Sequence, residues 1–272
     1  MRYLLVLILC VGCSHHTMKE PERLTINNPT HMVFRCKKAF TVDTETAGPI
    51  TFFTLDTQNV PALRKFYLQG TDEVIPSGIP AELASDADGI LRYAADTNLS
   101  LAKCPFPIQF FLPGEICNMW LVSDDKQIVV KTSFIPYPLV TYASDGAEAE
   151  VIRLERDGSV VRCQGAYFND NEALIVRCSA NKGKHKIQRI CHNGTFVIDL
   201  PSPDPESFGE MIMLTVTRES GETLTLSYPV GREVFNKDHL CANVSKLTEE
   251  EYDQVNDAYE CYFKGSSPDQ IT

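Results

Sequence analysis

Short runs of apolar residues, several of them alternating with polar ones, recur along the chain from about residue 31. β-branched and aromatic side chains dominate these runs, which favours half-buried strands over helices. Turn-forming pairs such as Asp88-Gly89 and Asn193-Gly194 separate the runs, and both pairs tolerate the positive φ of tight turns. The pattern predicts strands over residues 50–55, 64–68, 119–122, 128–135, 174–178, 195–200, 211–217 and 223–228.

Strands at this spacing predict an all-β fold of two tandem β-sandwiches rather than alternating strand and helix units. The segment Phe134–Leu139 contains two prolines, which end the preceding strand and stiffen the connection that follows. We therefore place the first β-sandwich at residues 31–136 and the second at residues 140–232.

The two halves resemble degenerate copies of one module, because their turn and strand signals recur in the same order. Asn59 and Asn171 each precede a predicted strand, and Asp88-Gly89 corresponds to Asn193-Gly194 further along. We therefore expect the two halves to fold alike.

The C-terminal tail, residues 233–272, predicts a helix over about 248–263. Thr248 and Glu251 have the spacing of a capping box, and three acidic residues in the first turn suit the helix dipole. One apolar and aromatic stripe follows, formed by Tyr252, Val255, Tyr259 and Tyr262. We expect this stripe to pack on the second sandwich, with a partner-binding helix as the alternative.

The N-terminus follows the three-part pattern of an export signal. A single positive charge at Arg2 precedes about nine apolar residues and then a small residue, Gly12. The apolar run is about half of the roughly 20 residues that a membrane-crossing helix needs. We therefore predict a signal peptide over residues 1–12 rather than a transmembrane anchor.

Val11-Gly12-Cys13 resembles a bacterial lipobox, in which the signal is cut before a cysteine that carries the lipid. The resemblance implies acyl chains such as palmitate on Cys13, followed by a lipidated tether over residues 13–30. Ser14, by the same resemblance, implies an envelope lipoprotein of the outer membrane. A periplasmic or secreted protein is the alternative.

The charge of the chain narrows the range of partners. Lys and Arg number 25 against 36 Asp and Glu, a formal net charge of −11, and 43% of the residues are hydrophobic. That hydrophobic share is typical of globular proteins. An acidic chain repels phosphate backbones, so we expect no nucleic acid partner, and membrane contact only through the lipid anchor.

Eight cysteines remain beyond the signal and the lipidation site, an even number. In an oxidising compartment they are compatible with as many as four disulfides, whereas buried free thiols are the alternative. No two of them have the C-x-x-C spacing of a zinc knuckle, so we expect no metal and no cofactor. The possible disulfide cysteines are Cys36, Cys104, Cys117, Cys163, Cys178, Cys191, Cys241 and Cys261.

The second half resembles a known family through Asn193–Pro201, Gly209 and Leu214–Thr217. These turn and strand positions are similar to those of bacterial immunoglobulin-like domains of surface proteins, over roughly residues 155–231. The resemblance implies tandem immunoglobulin-like sandwiches that act as spacers or adhesive modules. That family has no shared catalytic residues, so no catalytic site carries over.

These observations favour a non-enzymatic, membrane-anchored envelope lipoprotein that presents β-sandwiches for protein or glycan binding. No nucleophile, metal or phosphate-binding motif occurs in the sequence. Two alternatives remain open. One is a structural envelope protein crosslinked by disulfides, and the other is a hydrolase with an unrecognised site.

Overall fold

The computed structural model describes residues 25–71, 81–94, 96–109, 111–180, 183–202, 208–231, 241 and 246–264. The predicted signal peptide, the lipidation site Cys13 and most of the predicted tether lie outside these residues. The described residues contain seventeen strands and one helix, and they divide into two compact units. The predicted all-β fold with a short C-terminal helix is confirmed.

The first unit is built from two antiparallel sheets. One has the strand order β1-β2-β7, and the other has the order β6-β5-β4-β3-β8-β9. Inward residues such as Phe66, Leu83 and Leu121 are fully buried. The strands are β1 (Val33–Val42), β2 (Ile50–Gln58), β3 (Lys65–Thr71), β4 (Ala81–Ser85), β5 (Leu91–Tyr93), β6 (Asp96–Ser100), β7 (Phe106–Pro107), β8 (Cys117–Ser123) and β9 (Val129–Phe134).

The second unit is a sandwich of two four-stranded antiparallel sheets, ordered β10-β11-β12-β15 and β14-β13-β16-β17. Buried and exposed residues alternate along most of its strands, so each sheet contributes every second side chain to one core. The strands are β10 (Leu139–Tyr142), β11 (Glu148–Arg153), β12 (Val160–Ala166), β13 (Ala173–Ser179), β14 (Lys184–Ile190), β15 (Phe196–Pro201), β16 (Phe208–Thr217) and β17 (Thr223–Gly231).

The boundary between the units follows the predicted proline segment but is crossed more than once. One crossing falls between Phe134 and Ile135, and the segment Phe111–Ile116 also belongs to the second unit. Gly114 lets this segment approach the backbone of β11 closely. It has φ +77°, and a Cβ added to it would lie 2.5 Å from the backbone oxygen of Val151. Only glycine allows so close an approach.

The two units share a strand order. The order β1-β2-β7 corresponds to β11-β12-β15, and β4-β3-β8-β9 corresponds to β14-β13-β16-β17. β5 and β6 extend the larger sheet of the first unit, and β10 extends one sheet of the second. The two units therefore share one strand order within an all-β, sandwich-type fold.

The predicted match between the two glycine turns is half right. The turns at Gly89 and Gly194 follow the corresponding strands β4 and β14. A Cβ added to Gly89 would lie 2.6 Å from the backbone oxygen of Val60, and one added to Gly194 would lie 2.7 Å from that of Phe168. The match of the strands after them is wrong, because β5 stays in the sheet of β4 whereas β15 joins the other sheet. The counterpart of β15 is the very short β7.

The C-terminal helix α1 (Glu249–Phe263) begins at Thr248 with the predicted capping box. It belongs to the first unit, so the expectation that it packs on the second sandwich is wrong. The ring of Tyr262 lies 5.3 Å from that of Phe40, and the ring of Tyr259 lies 5.8 Å from that of Phe52. These phenylalanines lie on β1 and β2 and supply the aromatic surface that the helical stripe needs.

Candidate functional site

None of the eight cysteines proposed for disulfides lies at bonding distance from another cysteine in the part of the chain that the structure describes. Cys117, Cys163, Cys178 and Cys191 are buried, while the other four, Cys36, Cys104, Cys241 and Cys261, are partly exposed. The structure therefore matches the alternative in which buried cysteines pack as small apolar side chains.

The thiols in the core of the second unit have low nucleophilic reactivity. Burial raises the pKa of Cys163 to about 12. Burial also raises the pKa of Cys178, whose Sγ lies 3.7 Å from the hydroxyl of Tyr228. Because the thiolate is the reactive form, these groups are poor nucleophiles at neutral pH.

The most distinctive surface is the outward face of the sheet β14-β13-β16-β17. The register places Lys186, Arg177, Thr215 and Thr225 in one row across the four strands. The neighbouring row is Lys184, Ser179, Met213 and Ser227. We call this surface the basic face; its further members are Ile175, Gln188, Ile190, Met211, Thr217 and Thr223.

The basic face differs in charge from the chain as a whole. Lys184, Lys186 and Arg177 are exposed on it, and none of its residues is acidic. Met211 and Met213 are also about half exposed, at 51% and 48%. A surface with local positive charge, hydroxyl groups and flexible apolar side chains is suited to binding rather than only to being solvated.

The opposite face of the same unit is different, because several of its polar side chains are paired across strands. Arg162 on β12 donates two hydrogen bonds to Asp199 on β15, at 2.7 and 2.9 Å. Gln164 donates to Glu150 at 2.8 Å. These cross-strand pairs satisfy one another and leave less unpaired charge for a partner.

The corresponding sheet of the first unit also has paired groups on its outward side. Lys65 forms an ion pair with Glu82 at 2.9 Å, and the Nζ of Lys131 lies 5.3 Å from the centre of the Trp120 ring. The equivalence of strand order therefore does not extend to surface chemistry.

One end of the second sandwich is organised around the buried Arg218, whose side chain is 4% exposed. Its Nε and Nη2 donate to the carboxylate of Glu172 at 2.8 and 3.0 Å, and its Nη1 donates to Asp145 at 2.8 Å. The guanidinium also lies over the ring of Phe168, with its carbon 5.2 Å from the ring centre. Three loops are thereby joined, those between β10 and β11, β12 and β13, and β16 and β17.

The acidic groups around Arg218 serve this structural network. Hydrogen bonds from Arg218 lower the pKa values of Glu172 and Asp145, so both remain ionised. A polar pocket of about 480 Å³ opens beside them. Across the described part of the chain, no group of three or more His, Cys, Asp or Glu side chains is arranged to hold a metal ion.

No protein-family model and no curated protein matches the chain. Within the described residues, no helix is both long and apolar enough to span a bilayer.

Sequence reasoning missed the basic face because β14 was not among the predicted strands. A strand pattern is nevertheless present in Lys184–Ile190, where the outward positions are occupied first by lysines rather than by apolar residues. An edge strand that faces water on one side can have this composition. Alternating charged residues can therefore predict an edge strand, just as alternating apolar residues can.

Proposed function

We propose that the chain is a non-enzymatic, lipid-anchored envelope lipoprotein of a bacterium, and that it binds a protein or glycan partner. The observation that carries the proposal is the basic face on β13, β14, β16 and β17. The anchor is proposed from the lipobox resemblance at Cys13. Together they give a protein that is held at a membrane surface and presents a binding face.

The composition of the face favours a binding role. Lys184, Lys186 and Arg177 provide positive charge on a chain whose formal net charge is −11. The negative remainder repels phosphate polymers at longer range, whereas the face attracts carboxylate or sulfate groups that come close. The exposed Met211 and Met213 add adaptable apolar contact area.

Binding of the purified full-length chain to the envelope fraction of the source cells tests the proposal. We expect saturable binding that weakens with salt, and that falls at least tenfold when Lys184→Glu and Lys186→Glu are combined. Arg35→Glu with Lys38→Glu is the matched control, because both residues are exposed in the first unit and the change in charge is the same.

Treatment of the envelope fraction separates the two partner classes. Loss of binding after protease treatment identifies a protein partner, and loss after periodate oxidation identifies a glycan. Equal binding by the basic-face variant and by its control would contradict the proposal.

A further inference from the structure

β14 and β15 are each one of the two terminal strands of their sheets in the second unit. β14 pairs only with β13, and β15 pairs only with β12, among the strands that the structure describes. Each therefore has one edge of main-chain donors and acceptors without a neighbouring strand in that part of the chain. Such an edge is a template for an additional strand.

A cleft of about 980 Å³ lies beside β14 and β15, at the end of the basic face. Ile175, Gln188 and Ile190 line it from the face, and Val197 lines it from β15. Ile190 and Val197 are 54% and 53% exposed, a high fraction for aliphatic side chains. The cleft can therefore bury an apolar side chain of a partner together with these two.

The charge of β14 selects among possible strands. Lys184, Lys186 and Arg189 are exposed, and the strand contains no acidic residue. Lysines on an edge discourage pairing with neutral or basic strands, including the same edge of another copy. The same lysines favour a strand that carries carboxylates, since cross-strand pairs of opposite charge are stabilising.

We propose that β14 accepts an acidic, extended segment of a partner protein as an added strand. Its carboxylates lie beside Lys184 and Lys186, and one apolar side chain enters the cleft at Ile190 and Val197. A peptide is favoured over a glycan because only a peptide backbone matches the row of main-chain groups along the edge. This inference rests on the proposed function, for which it specifies the partner.

A designed peptide tests the inference on the full-length chain. The probe is a fluorescent peptide of roughly eight residues, the length of a strand, with glutamates at the positions that face Lys184 and Lys186 and valine at the position that faces Ile190 and at the alternate positions of its other face. Its binding is followed by fluorescence anisotropy. The first control peptide is N-methylated at alternate residues, which removes main-chain donors, and the second has lysine in place of glutamate. Polygalacturonate serves as an anionic glycan of similar charge.

We expect the acidic peptide to bind, and both control peptides to bind at least tenfold more weakly. Lys184→Glu with Lys186→Glu should weaken binding by a similar factor, while Arg35→Glu with Lys38→Glu leaves it unchanged. Circular dichroism of both variants checks that they remain folded.

Other outcomes overturn the inference in distinguishable ways. Equal binding of the N-methylated peptide would exclude strand addition. Tighter binding of polygalacturonate than of the acidic peptide would identify a glycan site, which contradicts the inference but leaves the proposed function standing. If neither probe nor the envelope fraction binds, the proposed function fails as well.

Discussion

The carboxylate of Glu251 accepts hydrogen bonds from both the backbone N–H and the hydroxyl of Thr46, a residue 205 positions earlier in the chain. The N–H bond is 2.9 Å long. Glu251 is also the capping-box residue of α1, where it accepts from the N–H of Thr248 at 2.9 Å. One side chain thus caps the helix and attaches it to the turn between β1 and β2.

The attachment of α1 should weaken in acid. The hydrogen bonds from Thr46, followed by those from Thr248, lower the pKa of Glu251 from 4.5 to about 2. A lowered pKa in the folded state stabilises the fold fully above the unfolded value and loses that effect as the pH falls towards 2. We expect the amides of α1 to lose hydrogen-exchange protection between about pH 4.5 and 2.

Glu251→Gln provides the control for this prediction. It keeps the size of the side chain but removes the charge, so α1 should be less protected at neutral pH and its protection should no longer fall in acid. Glu250→Gln, at an exposed position in the same turn, should keep the acid dependence. Identical pH profiles for the wild type and Glu251→Gln would contradict the assignment.

The Arg218 network should contribute strongly to the stability of the second unit. Arg218→Met leaves the carboxylate of Glu172, which is 5% exposed, without its cation. Breaking a buried ion pair in this way costs about 3 kcal/mol of unfolding free energy. Urea unfolding followed by circular dichroism measures the loss.

Two further variants separate the buried pair from general charge effects. Glu222→Gln should cost less than about 1 kcal/mol, because Glu222 is more exposed and its contact with Arg218 is longer, at 3.4 Å. Combining Arg218→Met with Glu172→Leu should recover part of the lost stability, since no buried charge then remains unpaired. If Arg218→Met costs no more than Glu222→Gln, the network is not a stabilising element.

Much of the fold could be predicted from the sequence because two of its signals are local. Alternation along segments such as residues 195–200 and 223–228 depends only on one face being buried, and those strands are present as β15 and β17. The capping box at Thr248 and Glu251 likewise needs only two residues of one turn.

What the sequence could not predict depends on distant contacts. The aromatic stripe of α1 requires an apolar surface but does not specify which one, and Phe40 and Phe52 in the first unit provide it. The turn at Gly89 has the same local chemistry as the turn at Gly194, yet the strands that follow join different sheets. The basic face arises only when β13, β14, β16 and β17 are in register.

The buried thiols should resist alkylation in the native protein. With its pKa raised to about 12, Cys163 has almost no thiolate at pH 7.5 and is also shielded from reagents. We expect Cys163 and Cys178 to react with iodoacetamide only in denaturant, as measured by mass spectrometry of their peptides. Val197→Cys, at an exposed position of β15, should react in the native state. Native alkylation of Cys163 at the rate of that control, or its recovery in a disulfide, would contradict this account.

The proposed anchor predicts a specific modification. In a bacterial host, the mature chain should begin at Cys13 and carry acyl groups, which mass spectrometry of the N-terminal peptide detects. Cys13→Ser should abolish the acylation, whereas Cys10→Ser should leave it intact because Cys10 lies within the predicted signal peptide. An N-terminal peptide without lipid, or with lipid on Cys10, would contradict the assignment.

Lysine footprinting tests the proposed binding face most directly. The full-length chain is acetylated with and without the envelope fraction, and the rate at each lysine is measured by mass spectrometry. We predict that binding slows acetylation of Lys184 and Lys186 at least fivefold, while the exposed Lys38 and Lys103 of the first unit react as before. Unchanged rates at Lys184 and Lys186 in the bound chain would show that its partner contacts a different surface.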